Sequence, residues 1–477
     1  MEKKNVWESY DEKKLSQVEK FAKEYMQFLD EGKTERECID TIVNTIEKAG
    51  YVELQALQKK KKSVKPGDKV YSVWMNKSVV MFQAGEKPLE QGMNILGAHL
   101  DSPRLDVKQN PLYEDGGFAY LDTHYYGGVK KYQWVTIPLA LHGVVMKKDG
   151  TTIQINIGED EDDPVFFISD LLIHLAQEQM EKKANKVIEG EALDLIVGNR
   201  PLTIKGEKHS KKEDKENKEK DPVKAGVLRI LKEDYDMEEE DFLSAELEVV
   251  PAGKAREAGF DRSMILAYGQ DDRVCAFSSL KAMLELPESI ERTACCILVD
   301  KEEIGSVGAT GMRSHFFENS VAEFMELCGC YSELTMRRAL AASTMLSSDV
   351  SSAFDPTYAS SFDKKNVAYL GNGMVFNKFT GSRGKSGSND ANAEYVAYIR
   401  NIFEKEKVIF QTAELGKVDL GGGGTIAYIL ALYGMNVIDS GVAVLNMHAP
   451  WEATSKADVY ETKRGYSAFL KYNGLEA

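Results

Sequence analysis

Basic excess is what this sequence lacks most plainly. Its 60 Lys and Arg stand against 76 Asp and Glu, a formal net charge of −16. A surface of that sign repels phosphate backbones and anionic headgroups, which argues against nucleic acid and membranes as partners. Long apolar runs are also missing: no segment approaches the roughly 20 residues a bilayer span needs. The N-terminal MEKKNVWESYDEKK is polar and has no apolar core of the kind a signal peptide carries. Cysteine is sparse, with six in 477 residues, and none forms a CxxC pair. Cys295 and Cys296 are adjacent inside an apolar run, the pattern of reduced, core-filling cysteine in a cytoplasmic protein rather than of a disulfide framework. No internal repeat of fixed period stands out.

What is present is enough to fold. Hydrophobic residues make up 43% of the chain, and its length predicts two or three domains. VEKFAKEYMQFL and ERECIDTIVNTIEKAG carry apolar residues at helical spacing, with Gly50 as a stop. Strand-like pieces follow: KVYSVWM, SVVMFQAG and the buried-looking MNILGAHL. From about residue 109 to 251 the character changes to alternating strand patterns, YQWVTIPLALHGVVM and TTIQINIG, with Asp149-Gly150 as a hairpin turn. VFFISDLLIHLAQEQMEKKA reads as a helix. The mixed-charge run 205–224 cannot pack and reads as a mobile surface loop. After residue 252 strand and helix alternate. TACCILVD, STMLSSD and GVAVLNM are strand candidates, and RVCAFSSLKAMLEL, NDANAEYVAYIRNIFEKE and GTIAYILALYG are helix candidates. That alternation predicts an α/β domain with a mixed, largely parallel sheet flanked by helices.

Four strand candidates end in a residue that can bind metal. MNILGA ends at His99, followed by Asp101; TACCILV runs into Asp300-Lys301-Glu302-Glu303; STMLSS ends at Asp349; and GVAVLNM ends at His448. Asp271-Asp272 stands just before a helix. Each has an ordinary structural reading as a cap or solvated loop. Four such ends converging on one crevice beyond the strands point instead to a ligand site. His nitrogen and carboxylate oxygen suit zinc. Alternation along a strand puts His99 and Asp101 on one side, so Asp101 can orient the ring. The number of acids exceeds what one ion needs and suits two metals about 3.5–4 Å apart sharing a carboxylate. Glu302 and Glu303 suggest that one binds metal while the other handles a proton.

GAHLDSPRLDVK, YGQDDR, DKEEIGS, SSDVSSAFDP, GGGGT and MHAPWE, in that order, make nearly the whole chain resemble the M18 family of metallo-aminopeptidases. The resemblance implies an aminopeptidase that releases the N-terminal residue of peptides, with two zinc ions per subunit; Mn²⁺ or Co²⁺ can also occupy carboxylate-rich sites. It makes His99 and Asp349 ligands to one ion, Glu303 and His448 ligands to the other, and Asp271 the bridge; Asp272 stands where some relatives carry Asn. It makes Glu302 the general base and Asp101 the residue behind His99. It also implies a β-rich dimerisation domain, 109–251, inserted between catalytic halves 1–108 and 252–477. Self-association into a tetrahedral homododecamer built from dimers follows, with His174 reaching a neighbour's active site.

Two loops stand outside the metal chemistry. Gly421–Gly424 with Thr425 can let a substrate backbone approach a helix N-terminus; the run lacks the GxxxxGK[ST] form of a phosphate loop. The resemblance implies that FNKFTGSRGKSGSND, with Lys378, Arg383 and Lys385, lines the substrate pocket; by composition it reads equally as a solvated loop. Rival functions are a carboxypeptidase or deacylase on the same two-metal core, or a non-catalytic shell.

Overall fold

Strand Asn94–His99 runs between Ala294–Val299 and Thr344–Ser348, parallel to both. In the computed structural model, which describes residues 5–202, 220–381 and 383–474, these three form the middle of a nine-stranded sheet. Asn436–Gly441 continues it in parallel beside Thr344–Ser348. Ser78–Gln83 and Met374–Asn377 join antiparallel on either side, so the sheet is mixed and largely parallel. Its central strands are buried throughout, as expected where helices cover both faces. On one face lie the helices Glu12–Glu31, Glu35–Lys48, Gln270–Leu284, Ala393–Lys405 and Lys456–Lys471, whose apolar residues share a cluster with Leu96, Cys296, Leu346 and Ile438. On the other, Phe316–Leu327 and Glu333–Ala341 pack over Ile95, Cys295, Ile297 and Met345. The first helices begin where their caps dictate. Asp11 accepts from the Lys14 N–H, and Thr34 and Glu37 form a reciprocal capping box.

By contacts the chain divides into two compact units: residues 1–102, 255–447 and 451–477, and residues 103–254 with 448–450. The second unit is built on a six-stranded antiparallel sheet in the order Thr152–Ile157, Leu139–Met146, Ala245–Pro251, Arg104–Asp115, Phe118–Tyr126, Leu195–Gly198. The hairpin turn lies at Asp149-Gly150, where the Asp149 carboxylate accepts from the Thr151 N–H and Gly150 adopts φ +87°. Glu114 on this sheet accepts the backbone N–H groups of Val223 and Lys224, capping the helix Pro222–Tyr235. The charged run expected as a loop lies outside the described residues as far as residue 219.

Two expectations are corrected. VFFISDLLIHLAQEQMEKKA does not form one helix; only Gln177–Met180 and Ala184–Val187 are helical. Phe166 and Phe167 instead bridge to Leu139 and Ile196 as strand neighbours, while Leu171, Leu172, Ile173 and Leu175 are exposed. The apolar spacing is helical, but among the described residues no surface of the unit covers that stripe, and without burial a short helix is marginal. GVAVLNM does not supply a strand of the main sheet. It forms Ala443–Leu445 in a separate five-stranded sheet, with Glu452–Ser455 and Ser351–Ser352 as its neighbours. The place beside Thr344–Ser348 belongs to Asn436–Gly441, whose Gly441 passes so close to the Asp349 carbonyl that a Cβ would lie 1.9 Å from it.

Candidate metal centre

His99 ends its strand almost completely buried, and Asp101 follows on the same side. His99 Nδ1 lies 3.0 Å from the Asp101 backbone carbonyl and 3.3 Å from the Asp101 carboxylate. That carboxylate also accepts the backbone N–H groups of Glu302 and Glu303, each at 3.1 Å. Asp101 therefore orients the imidazole through its carbonyl and carboxylate, and the carboxylate also holds the turn that carries both glutamates. That turn is tight, with Lys301 at φ +68° and Gly305 at φ +94°. On the other side of the ring, Nε2 lies 3.4 Å from Asp271 Oδ1 and 3.8 Å from Glu302 Oε2.

Asp271 is placed by its backbone. Its N–H donates to Glu452 Oε2 at 3.0 Å, and its carbonyl accepts the Ser102 hydroxyl at 2.7 Å. The buried Arg273 donates to the carbonyls of Leu100 and Lys33, tying the His99-Leu100-Asp101 segment to the start of the helix that follows Asp271. Gly269 lets it pass: a Cβ there would lie 2.0 Å from an Arg273 guanidinium nitrogen. Asp349 is held from the neighbouring strand, its N–H donating to the Ser440 carbonyl at 3.1 Å.

Three sets of side chains in this region bring ligand atoms within 4.8 Å of one another: His99, Glu302 and Asp349; His99, Asp271 and Glu303; Asp271, Asp272 and Asp349. The electrostatics are those of crowded acids. Burial pushes the Asp272 and Asp349 carboxyls well above the usual range, and the charges of Glu302, Asp272 and Asp271 push Asp349 further. Burial pulls His99 down, but Asp101 and Asp271 more than offset it and hold the imidazole well above its ordinary value. A divalent cation reverses both tendencies, ionising the acids and freeing the imidazole lone pair. The residues thus fit a metal centre.

Of the residues singled out in the sequence, His99, Asp101, Asp271, Glu302, Glu303 and Asp349 come together within the first unit. His448 falls in the second unit, where its Nδ1 lies 3.0 Å from the Gly128 carbonyl. His174 is exposed on a turn of the same unit. Lys378 and Lys385 both pair with Asp390, at 3.0 and 2.8 Å. Glu452, Ser102 and Arg273 were not anticipated. Glu452 and Arg273 lie inside the MHAPWE and YGQDDR motifs, but nothing in spacing says that a side chain will grip a backbone group.

Buried imidazole and carboxylates beyond the carboxyl ends of a largely parallel sheet define a metal-dependent hydrolase type of centre. The family model for aminopeptidase I zinc metalloprotease (M18) matches residues 28–470. A probable M18 family aminopeptidase 1 of Clostridium acetobutylicum is 60% identical over 469 residues, covering 98% of both chains. Among solved structures, aminopeptidase I from Clostridium acetobutylicum superposes with a TM-score of 0.89 at 57% identity, over 99% of this chain and 100% of that one. An M18 aminopeptidase from Thermotoga maritima gives 0.91 at 44% identity, over 99% of each. The fold is shared at 19% identity by the yeast mApe1 dodecamer, with a TM-score of 0.75 over 94% of this chain and 96% of that one. The chain belongs to the M18 family of zinc metallo-aminopeptidases, and it is an aminopeptidase.

Proposed function

We propose that this aminopeptidase works with two divalent ions, zinc in the first place, held by His99 and Asp349, by Glu303 and His448, and by Asp271 between them. One observation carries the reading: the three ligand-competent groups overlap, with His99, Asp271 and Asp349 each belonging to two of them. A single catalytic zinc needs only three protein ligands, whereas overlapping sets suit a pair that shares a carboxylate. When bound, such ions supply a water that ionises near neutrality and positive charge facing the developing oxyanion.

The chain's own residues do the rest. Glu302 takes the proton of the attacking water and returns it to the leaving amine. Asp101 fixes the ring and tautomer of His99 through Nδ1, leaving Nε2 to face the acids. The acid-rich rim pairs with the substrate's free α-amino group and so restricts cleavage to the first residue. His174 of a neighbouring copy is an added donor to the oxyanion. The second unit acts as the dimerisation domain of a tetrahedral homododecamer; support comes from its uncovered Leu171, Leu172, Ile173 and Leu175. Cys38, Cys275, Cys295 and Cys296, buried as free thiols, suit a cytoplasmic location.

The test is a titration. Chelated protein is reloaded with Zn²⁺, Mn²⁺ or Co²⁺ and assayed on aminoacyl-nitroanilides with acidic and neutral first residues and on N-acetylated counterparts. Full activity at two equivalents, with acetylated substrates left intact, is expected. Saturation at one equivalent contradicts the two-ion reading, and release of N-acyl groups from amino acids favours the deacylase alternative.

A further inference from the structure

The glycine run is not explained by metal chemistry, and one buried acid beside it has no part in the ligand groups. In the central sheet, Ser347 pairs with Gly97 on one side and with Asp439 on the other. Gly97, Ser347 and Asp439 thus form one row across three adjacent strands. Side chains alternate along a strand, so His99 and Asp349, two residues beyond Gly97 and Ser347, project from the same face one step nearer the metal-bearing end. A Cβ on Gly97 would lie 3.3 Å from Ile426 Cδ1. The residue after Thr425 therefore lies over that face.

Asp439 is 1% exposed, and its Oδ1 accepts the Thr425 hydroxyl at 2.5 Å. Thr425 Oγ1 in turn accepts the Ala427 N–H at 3.2 Å, at the start of the helix Ala427–Ala431. Asp439 Oδ2 makes no hydrogen bond among the described residues. Burial pushes this carboxyl up to about 7, with the Glu302 charge adding to it. A half-satisfied acid is costly inside a sheet, so its single partner needs a reason. Immediately before Thr425, Gly421 and Gly422 adopt φ +105° and +83°, and the Gly423 N–H donates to the Thr380 carbonyl at 2.9 Å. Among the described residues, a Cβ on Gly423 would meet nothing within 4 Å. The run is thus tethered at its middle and at its end and is open on one side.

We infer that the Asp439–Thr425 hydrogen bond is a latch that holds the glycine run beside the metal centre, and that Asp439 is a positioning residue for the peptide main chain laid along that run. The latch acts on binding. It rests on the proposed metal centre only for where the peptide is cut.

The test uses the full-length, zinc-loaded protein and a dipeptidyl or longer substrate. Thr425→Val removes the hydroxyl at nearly constant shape, and Thr425→Ser keeps it. The valine variant should raise KM by about tenfold or more, the size of one lost hydrogen bond to a buried acid, with kcat within about threefold. Its bound zinc should be unchanged, and the serine variant should match the wild type. A folded, zinc-replete valine variant with wild-type KM overturns the latch, as does a serine variant that loses as much as valine. Should valine prevent folding, Thr425→Ala carries the same expectation and the same contradiction. Wild-type turnover and zinc stoichiometry, measured alongside, report on the metal centre separately.

Discussion

Glu302 and Glu303 are chain neighbours whose backbone N–H groups share one carboxylate, Asp101, yet they are given different work. Glu303 falls in the ligand set with Asp271, and Glu302 in the set with Asp349. If Glu302 moves the proton, Glu302→Gln should keep its metal, measured by elemental analysis, while kcat falls by roughly 10²–10⁴-fold. A metal-loaded, active glutamine variant contradicts the role. Asp439 offers a stability test. Its folded value of about 7 stands above the ordinary 3.8, so the folded state holds the proton more tightly than the unfolded one. The stabilisation it gives is full below about 4 and is lost as pH rises through about 7. Asp439→Asn has no such titration. Its melting temperature should therefore gain on the wild type's as pH rises across that interval. A constant difference would show that the acid does not titrate there.

The centre depends on how strands end, and Gly441 shows how little room they leave. A Cβ there would lie 1.9 Å from the Asp349 carbonyl and 3.0 Å from Cys275 Sγ. Gly441→Ala should displace Asp349, destabilise the fold by about 1–3 kcal/mol and weaken metal retention; a variant with unchanged melting temperature and metal content would contradict it. At this scale the sequence is informative where burial and period agree. Asn94–His99, Ala294–Val299 and Thr344–Ser348 are short apolar runs bounded by polar residues, and each does lie in the sheet. Asn436–Gly441 carries Asp439 and Ser440 in its interior, which hides it, while GVAVLNM next to it does form a strand, Ala443–Leu445, but in a separate sheet. The stretch from Val165 to Ala184 misleads for the opposite reason: its period is helical, but the described residues of its own unit offer no surface to cover the helix. Arg273 and Glu452 act through backbone carbonyls and N–H groups, contacts that only the folded chain reveals.

Across the whole molecule, the identity of the centre is legible because the motifs are many and ordered. The grouping of His99, Asp271, Glu302, Glu303 and Asp349 needs no alignment to be recognised as chemistry, since four separated segments each contribute an acid or an imidazole. The part played by His448 and by the second unit is less legible, because it depends on how copies and units meet. The uncovered Leu172, Ile173 and Leu175 give a direct check on assembly. Replacing them with Asp or Lys should shift the species seen by light scattering from a large assembly to a smaller one, while the purified protein stays folded by circular dichroism; an unchanged mass would remove this surface from the interface. The central claim is that two ions sit among residues drawn from distant parts of the chain. Zinc-edge anomalous diffraction from metal-loaded crystals tests it most directly. Two peaks within about 4 Å of each other, with His99, Asp271, Glu303, Asp349 and His448 around them, are predicted, and a single peak, or peaks away from these side chains, would contradict the account.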